Sequence, residues 1–298
     1  MRRPHLGSLG QCVPLAVLVT VAACGRYDFE PLDGGGTDAP LEAVPSCETW
    51  GPPSVLANLN SVAEDWGPSL SPDGRALVFS STRNSMRALY LSRWSAQGWM
   101  SPVPISILNA LAGSEDGPAW SPDGRELYFQ NDSTGQFQIW VSAYDPSTGA
   151  FSTPMKAPGL EATAAIAPFV RADDLELMLT DIAQGDLLRS TRSSPTDAWG
   201  PPMPIAELNT GVMEGFSTLS PDGLTIYIEF HMGAVLDIGR ASRPALDQPF
   251  GAVSRVGELS SPSEDGDPDV SRDGRTLVMY SARPGGAGAG DLYLSTCL

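Results

Sequence analysis

The chain has 298 residues, of which 42% are hydrophobic and 18% charged, so it is long enough to bury a sizeable core and does not have the composition of a disordered polymer. Acidic residues outnumber basic ones by 35 to 18, giving a formal net charge of −17. This balance argues against nucleic-acid binding, because phosphate contacts require a basic surface. Any charged partner is expected to be cationic.

The first 23 residues have the layout of a secretory signal peptide. Arg2 and Arg3 precede an apolar run over 13–23 that is too short to span a bilayer comfortably. The run ends in Val21-Ala22-Ala23-Cys24, which resembles a bacterial lipobox. The resemblance implies cleavage before Cys24, acylation of that cysteine and, because Gly25 follows it, an outer-membrane lipoprotein facing the periplasm or the cell surface. The alternative is a plain signal peptide with an incidental cysteine.

The chain is expected to divide into three parts. The signal peptide occupies 1–23, and a lipidated cysteine with a flexible tether occupies 24–46. The tether is rich in Gly, Asp and Pro, with few apolar residues and no strand alternation. Residues 47–298 form the folded domain, which is attached to the membrane through the lipid alone.

A turn motif recurs through the folded domain. Pro presets the first central φ angle of such a turn, Asp suits the second position, and Gly supplies a positive φ at the exit, so each copy predicts a hairpin. The spacing of 49 to 51 residues between the shared Asp residues is typical of propellers or solenoids. The copies are Ser71-Pro72-Asp73-Gly74, Ser121-Pro122-Asp123-Gly124, the decayed Arg171-Ala172-Asp173-Asp174, Ser220-Pro221-Asp222-Gly223 and Ser271-Arg272-Asp273-Gly274.

Each repeat predicts four strands. A short strand approaches the turn, and the strand that leaves it is apolar on both faces, as in Ala76-Leu77-Val78-Phe79, which implies sheets stacked on sheets. A third strand follows a polar loop. The fourth begins with an aromatic residue and is rich in Pro, as in 99–105 and 199–205, so it must be an outer edge strand. The fold class is therefore all-β: a five-bladed β-propeller of four-stranded antiparallel blades.

The two chain ends are predicted to complete one blade. Trp50-Gly51-Pro52-Pro53 is an extra fourth strand before the first turn, whereas Leu298 closely follows a third strand. Aligning the repeats puts Cys297 at the end of that third strand and Cys47 at the start of the fourth strand that pairs with it. The sequence therefore predicts a Cys47–Cys297 disulfide that closes the ring, in keeping with an exported protein.

The repeats resemble the WD40-like (PD40) propeller repeat of the TolB type. The resemblance covers about residues 60–297 and rests on Ser-Pro-Asp-Gly followed by an apolar strand and an aromatic-apolar strand. It implies a propeller and an envelope location. TolB itself is not expected, because TolB-like proteins carry an N-terminal α/β domain where this chain has a tether. The same repeat serves scaffolds and peptidase propellers, so the resemblance leaves the function open.

Side chains for catalysis are scarce. His231 is the one histidine beyond the signal segment, and no Gly-x-Ser-x-Gly elbow is present, which argues against a Ser-His-Asp hydrolase. His231 is interpreted as a loop residue rather than a catalytic one. The glycine-rich stretch 285–290 lacks the Lys-Ser/Thr of a phosphate-binding loop.

One feature of the repeats suggests a site. A carboxylate stands before each first strand, so five-fold repetition is expected to place a ring of acids around one mouth of the channel. The alternative is solvated loop acids copied by duplication. The predicted ligand-binding residues are Glu64, Asp65, Glu115, Asp116, Glu161, Glu214, Glu264, Asp265 and Asp267. A weaker set for a metal is Glu264, Asp265, Asp267 and Asp269, with Ca²⁺ as the open candidate and no other cofactor predicted.

Two function classes remain at this stage. The first is a non-catalytic, monomeric propeller in the cell envelope that binds a protein, peptide, glycan or cation through the acidic mouth, with the Ser-Pro-Asp-Gly face silent. The second is a carboxylate-based glycoside hydrolase or lyase, which needs two nearby acids with one raised pKa. Uniformly exposed, unshifted acids would favour binding.

Overall fold

The computed structural model describes residues 46–298, except Ala234 and the side chain of Met232. The signal peptide, the lipidation at Cys24 and the tether fall on residues outside that range, where they stay predictions. No helix in the described range is long and apolar enough to cross a membrane.

Twenty-two strands form five antiparallel sheets, and each sheet is one blade. Blade 1 contains β2 (Asp65–Leu70), β3 (Ala76–Ser81), β4 (Ala88–Ser95), β5 (Gly98–Trp99) and β6 (Val103–Pro104). Blade 2 contains β7 (Glu115–Trp120), β8 (Glu126–Asn131), β9 (Gln138–Asp145), β10 (Ala150–Phe151) and β11 (Met155–Lys156). Blade 3 contains β12 (Ala165–Val170), β13 (Glu176–Asp181), β14 (Leu187–Thr191) and β15 (Met203–Pro204).

Blade 4 contains β16 (Glu214–Leu219), β17 (Thr225–Met232), β18 (Val235–Ser242) and β19 (Ser254–Arg255). Blade 5 contains β20 (Asp265–Val270), β21 (Thr276–Ser281), β22 (Asp291–Thr296) and, from the other end of the chain, β1 (Ser54–Val55). The first strands of the blades, β2, β7, β12, β16 and β20, contact one another in a closed ring. The predicted five-bladed propeller is thus confirmed.

The Ser-Pro-Asp-Gly copies form the predicted hairpins through one repeated set of hydrogen bonds. In the first, the Ser71 hydroxyl donates to Asp73 Oδ1 (2.6 Å) and accepts from the Ala76 N–H (2.8 Å), while Gly74 adopts a φ of 66°. The serine and aspartate side chains thereby replace backbone partners inside the turn. In the decayed copy the Leu175 N–H still donates to Asp173 Oδ1, as the Arg75 N–H does to Asp73 Oδ1 in the first copy. Asp174, however, takes the positive φ of 61° that the other copies give to glycine.

The core lies between blades. Three of the apolar clusters fill the interfaces of blades 1 and 2, 2 and 3, and 3 and 4, and a fourth joins blades 4 and 5. The strand after each turn is buried on both faces, as with Leu77 and Val78, because a sheet packs on each side of it. This is the burial that the doubly apolar second strands predict.

Blade 5 closes the ring with both ends of the chain. Ser54 and Val55 pair with Leu294 and Tyr293, and the Gly51 N–H donates to the Thr296 carbonyl (2.8 Å). Trp50 is 1% exposed, and its Nε1–H donates to the Tyr227 hydroxyl of blade 4 at 3.2 Å. Non-covalent packing therefore joins the two ends, in addition to the predicted disulfide.

The predicted disulfide is confirmed. Cys47 and Cys297 are bonded, with their Cα atoms 5.6 Å apart, inside the range that an unforced disulfide allows. Cys297 lies beside the last Ser-Arg-Asp-Gly turn, because its N–H donates to the Arg275 carbonyl. The chain therefore enters the ring at the end that carries the turns.

Each first strand carries an irregularity that turns its backbone toward the channel. The ladder shifts register between Trp66 and Ser69 and at the equivalent point of the other four blades. Gly67 and Gly117 take positive φ at this bulge, as do the non-glycine residues Ala167 and Asp267. The end of the ring where these strands begin is called the acidic end below, and the opposite end is called the turn end.

Candidate functional site

Charge is distributed unequally between the two ends of the ring. At the turn end, acidic residues are largely matched by arginines such as Arg125, Arg171 and Arg192. At the acidic end of the described chain, the cationic side chains are Arg83, Arg87, Lys156, Arg255 and Arg283. The carboxylates there are Glu64, Asp65, Glu115, Asp116, Asp132, Glu161, Asp181, Asp186, Glu214, Glu229, Asp237, Glu264, Asp265, Asp267 and Asp291.

Two of the predicted ring acids are structural clamps. Asp65 is fully buried, and its Oδ2 accepts the Ser61 N–H at 2.6 Å while its Oδ1 meets the Arg83 guanidinium at 2.5 Å. Arg83 also donates to the Leu59 carbonyl. Blade 5 repeats the arrangement around Asp265 and Arg283. These carboxylates hold the preceding loop onto the strand, so a structural role explains why they recur.

The other blades fill the same position differently. Glu115 is buried, and its Oε1 accepts a hydrogen bond from Asn131 Nδ2 at 3.1 Å. Burial raises the pKa of Glu115 to about 7. Glu214 is buried and accepts a hydrogen bond from the Thr210 hydroxyl. In blade 3 the position belongs to Ala165, because Glu161 lies four residues earlier in an exposed loop. Hydrogen bonds from its own N–H and from Gly159 lower the pKa of Glu161.

The structure divides the nine predicted residues of the acid ring into two groups. Among the predicted residues, Glu64, Glu161 and Glu264 are exposed at the acidic end. The remaining six, Asp65, Glu115, Asp116, Glu214, Asp265 and Asp267, are buried. Hydrogen bonds hold the buried acids inside the fold, such as those of Asp65 with the Ser61 N–H and Arg83 and that of Asp116 with the Trp66 Nε1–H.

The residues proposed for a metal do not converge either. Asp265 is engaged by Arg283, Asp267 Oδ2 accepts the Gly67 N–H (2.8 Å), and Asp269 Oδ2 accepts the Leu70 N–H (2.7 Å). Across 46–298 without Ala234, no three His, Cys, Asp or Glu side chains are grouped so that they could hold a metal ion. The cluster of acids that is dense in sequence is thus spread along a strand.

Buried acids from three blades meet at the start of the channel. The Asp267 N–H donates to Glu229 Oε2 at 3.2 Å, which brings the two carboxyl groups close to each other. Burial and the neighbouring Asp267 raise the pKa of Glu229 well above its ordinary value, and burial raises the pKa of Asp267 to about 6. Two adjacent buried carboxylates repel each other, so this contact favours the protonated form of the pair relative to isolated carboxyl groups.

Asp116 is the third buried acid. It accepts hydrogen bonds from the Trp66 Nε1–H at 2.8 Å and the Gly117 N–H at 2.7 Å, and it pairs with Arg87 at 2.9 Å. Burial raises its pKa despite the arginine. Its oxygens are therefore used to join blades 1 and 2.

The channel itself is narrow. Next to this group, a cavity of about 30 Å³ is lined by the four prolines Pro68, Pro118, Pro168 and Pro268 and by the carboxyl groups of Asp267 and Asp269. That volume holds about two water molecules. Phe216 occupies the bulge position where blades 1 and 2 have glycine, and its ring lies close to Gly117 on the far side. The channel is blocked to anything larger at this level.

Sequence reasoning missed an apolar component of the same end. Five large hydrophobic side chains are exposed in its loops, namely Val62, Met86, Ile182, Val212 and Met213. None belongs to a repeated motif, so the repeat pattern carried no signal for them. Glu229 was missed because it lies inside a strand read as core, at a position that holds Ser80 in blade 1 and Gln130 in blade 2.

The turn end has a cavity of its own. It has a volume of about 60 Å³, and its rim is formed by Pro72, Pro122, Ala172, Pro221 and Arg272. Arg272 donates to the Pro122 carbonyl at 2.9 Å across the ring. This cavity is also small, and its lining follows from the turn motif, so nothing in its chemistry selects a particular ligand.

Comparison with known proteins gives similarity of fold only. No protein-family model matches the chain, and no curated protein matches it. Among solved structures, a thermostable family-43 glycoside hydrolase is 13% identical over 79% of this chain and 89% of its own, with a TM-score of 0.58.

A GH62 hydrolase in complex with xylotriose is 11% identical over 83% and 97%, with a TM-score of 0.55. TolB from Acinetobacter baumannii is 19% identical with a TM-score of 0.49, and the match covers 80% of this chain but 56% of TolB. The TM-scores of the two hydrolases support the propeller fold, whereas identities this low leave the activity to be argued from the site.

Proposed function

We propose that this chain is an exported, membrane-anchored and non-catalytic binding module of the bacterial cell envelope, and that its acidic end docks a cationic segment of a protein or peptide. The observation that carries the proposal is the excess of carboxylates at that end above a channel only large enough for water. A ligand there must be recognised by the surface and not enclosed.

The size of the channel cavity argues for binding on the surface and against an enclosed catalytic site. Pockets that enclose small molecules usually measure roughly 300 to 1,000 Å³. The channel cavity of about 30 Å³ is an order of magnitude smaller, and Phe216 forms part of its lining. A sugar ring or a peptide backbone would have to remain outside, on the loops of the acidic end.

Electrostatics favours a cationic partner. Carboxylates crowded at one end of a protein raise the local concentration of positively charged partners and speed their association. Among the described residues, the exposed Glu64 and Glu264 form no ion pair, whereas the arginines of that end are paired with buried acids. The negative potential of Glu64 and Glu264 is therefore available to attract an incoming cationic ligand.

Two features support an envelope location. The N-terminal sequence has the signal-peptide and lipobox layout described above, and the ring is closed by a disulfide between Cys47 and Cys297. Stable disulfides form in oxidising compartments such as the periplasm and the cell surface, and are rare in the cytosol.

A glycoside hydrolase is the second candidate, and one observation favours it. Asp116, Glu229 and Asp267 are buried together with raised pKa values, as an acid catalyst requires. In this chain, however, hydrogen bonds already engage both oxygens of Asp116 and one oxygen each of Asp267 and Glu229. The acids join blades, which ranks catalysis below binding.

The test compares acids at the two ends. Glu64→Gln with Glu264→Gln removes exposed charge from the acidic end, and Asp197→Asn with Asp247→Asn removes the same charge from exposed hairpins of the turn end. Partners are cross-linked to the full-length protein in an envelope extract, identified by mass spectrometry and titrated as purified proteins, with and without Ca²⁺. We expect the first pair of changes to weaken binding roughly tenfold, with loss of affinity at high salt.

Two results would reject this function. Equal affinity of the Glu64/Glu264 double variant and the wild type, together with loss in the Asp197/Asp247 variant, would move binding to the turn end. Hydrolysis of an aryl glycoside or arabinoxylan that Asp267→Asn abolishes would establish the second candidate instead.

A further inference from the structure

We propose that the anchor point for the partner is an apolar patch where blades 3 and 4 meet, and that its occupant is a basic protein segment carrying adjacent hydrophobic side chains. The patch consists of Ile182, Val212 and Met213 and is called the seam patch here. The inference rests on the proposed function, since it names the docking position at the acidic end and the chemistry of the partner.

The seam patch is built on two neighbouring loops. Ile182 lies in the hairpin loop between β13 and β14, and Val212 and Met213 lie in the loop before β16. The two loops are joined by a hydrogen bond from the Glu214 N–H to the Gly185 carbonyl at 2.8 Å. Gly185 leaves room for the Met213 side chain, because a Cβ atom there would lie 2.8 Å from Met213 Cγ.

The patch is open to solvent. Ile182 is 43% exposed, Val212 44% and Met213 41%. Isolated exposed hydrophobics are normal on a surface, but three on two joined loops concentrate apolar surface at one place, as a docking position requires. Methionine suits such a role because its flexible thioether adapts to different side chains.

The surroundings of the patch select the occupant by charge. Asp181 and Asp186 begin and end one of its loops, and neither 181–186 nor 209–214 contains a Lys or Arg. A second copy of this chain would bring the same carboxylates face to face and be repelled, as would an anionic lipid surface. A segment with hydrophobic residues flanked by Lys or Arg satisfies both the apolar and the acidic parts.

A difference in arginine content between the seams explains why the anchor lies where blades 3 and 4 meet. At the seam of blades 1 and 2 the corresponding loop supplies Arg87, which pairs with Asp116 and covers Trp66 at 5.0 Å. An arginine in place of an apolar residue makes that seam less suited to a basic partner. Blade 3 has Ile182 and Gly185 in its loop instead, so the acidic surroundings remain without a local arginine.

The experiment selects ligands without assuming their sequence. A phage-displayed library of random peptides of about twelve residues is panned on the immobilised full-length protein. Selected peptides are then titrated against wild type, Ile182→Ser with Met213→Ser, and Met203→Ser. Met203 is 63% exposed on the outer strand of blade 3, so it is the matched control for removing a surface methionine. Circular dichroism and melting of each variant verify folding.

The expected result is enrichment of peptides that combine two or more Lys or Arg with hydrophobic residues. Their affinity should fall at least about tenfold in the Ile182/Met213 variant and stay within about twofold in Met203→Ser. Addition of Asp186→Asn should weaken binding further and flatten its salt dependence. Analytical ultracentrifugation of the protein alone should show no self-association that depends on Met213.

Three outcomes would overturn the inference. If panning enriches nothing, or enriches acidic or uncharged peptides, the seam patch is not a docking site for a basic segment. If basic peptides lose affinity with Glu64→Gln and Glu264→Gln but not with Ile182→Ser and Met213→Ser, the proposed function stands and this location is wrong. If they depend on Asp197 and Asp247 instead, both proposals fail together.

Discussion

Replacing Asp269 by asparagine should stabilise the propeller, and increasingly so as the pH rises. Asp269 lies on the first strand of blade 5 beside the channel, where its Oδ2 accepts the Leu70 N–H from blade 1. Burial raises the pKa of Asp269 to about 7, and that single hydrogen bond offsets little of the effect. An asparagine keeps the acceptor for Leu70 and removes the charge.

The magnitude follows from the difference between the folded and unfolded pKa values. An aspartate whose ordinary pKa is 3.8 and whose folded pKa is about 7 has its ionised form disfavoured by about 4 kcal/mol. The folded state binds the proton more tightly, so wild-type stability falls between about pH 4 and pH 7 and then levels off. Between pH 5 and pH 8 the advantage of Asp269→Asn should grow by about 3 kcal/mol, less where channel water solvates the carboxylate.

Urea unfolding of the full-length protein at pH 4, 5, 6, 7 and 8 measures this difference directly. Asp247→Asn, on an exposed hairpin, is the control and should follow the wild type at every pH. If the curves for Asp269→Asn and the wild type stay parallel from pH 5 to pH 8, the carboxyl group is solvated and its burial does not cost what is inferred here.

Three further changes test the closure, the clamps and the leader. Cys47→Ser with Cys297→Ser removes a cross-link over 250 residues and should lower the free energy of unfolding by about 5 kcal/mol in the chain-entropy estimate, a loss that reductant should reproduce in the wild type. Asp65→Ala leaves Arg83 without its buried partner and should cost about 3 to 5 kcal/mol in thermal unfolding, whereas Arg83→Ala with Asp65→Ala should recover part of it. Mass spectrometry of the protein from membranes should find Cys24 at the N-terminus with acyl chains, and a different terminus would remove the lipid anchor from the proposal.

The repeat pattern was sufficient to predict the architecture. Turn residues act locally, so Ser71, Asp73 and Gly74 could be interpreted without knowing what lies around them. The proline-rich edge strands and the unpaired ends together specified both the number of blades and the disulfide. These features depend on backbone geometry, and each copy supported the others.

The site was less predictable because it depends on which way each side chain faces. Asp65 and Glu64 are neighbours in sequence, yet Asp65 begins β2 and is buried against Arg83, whereas Glu64 belongs to the preceding loop and is exposed. The same spacing therefore could not separate structural carboxylates from exposed ones. The contact of Glu229 with Asp267 joins different blades, and no local pattern contains it.

The closure of the ring by both termini has a consequence for the order of folding during synthesis. Trp50 and Cys47 belong to the cluster between blades 4 and 5, yet their partners, Tyr293 and Cys297, follow all the strands of blades 1 to 4 and are made after them. Until those residues appear, the first strand made has no sheet to join, and the thiol of Cys47 has no native partner. The disulfide thus reports that synthesis has passed Cys297 and that the ring has closed, which makes it a covalent mark distinguishing closed molecules from those truncated before blade 5.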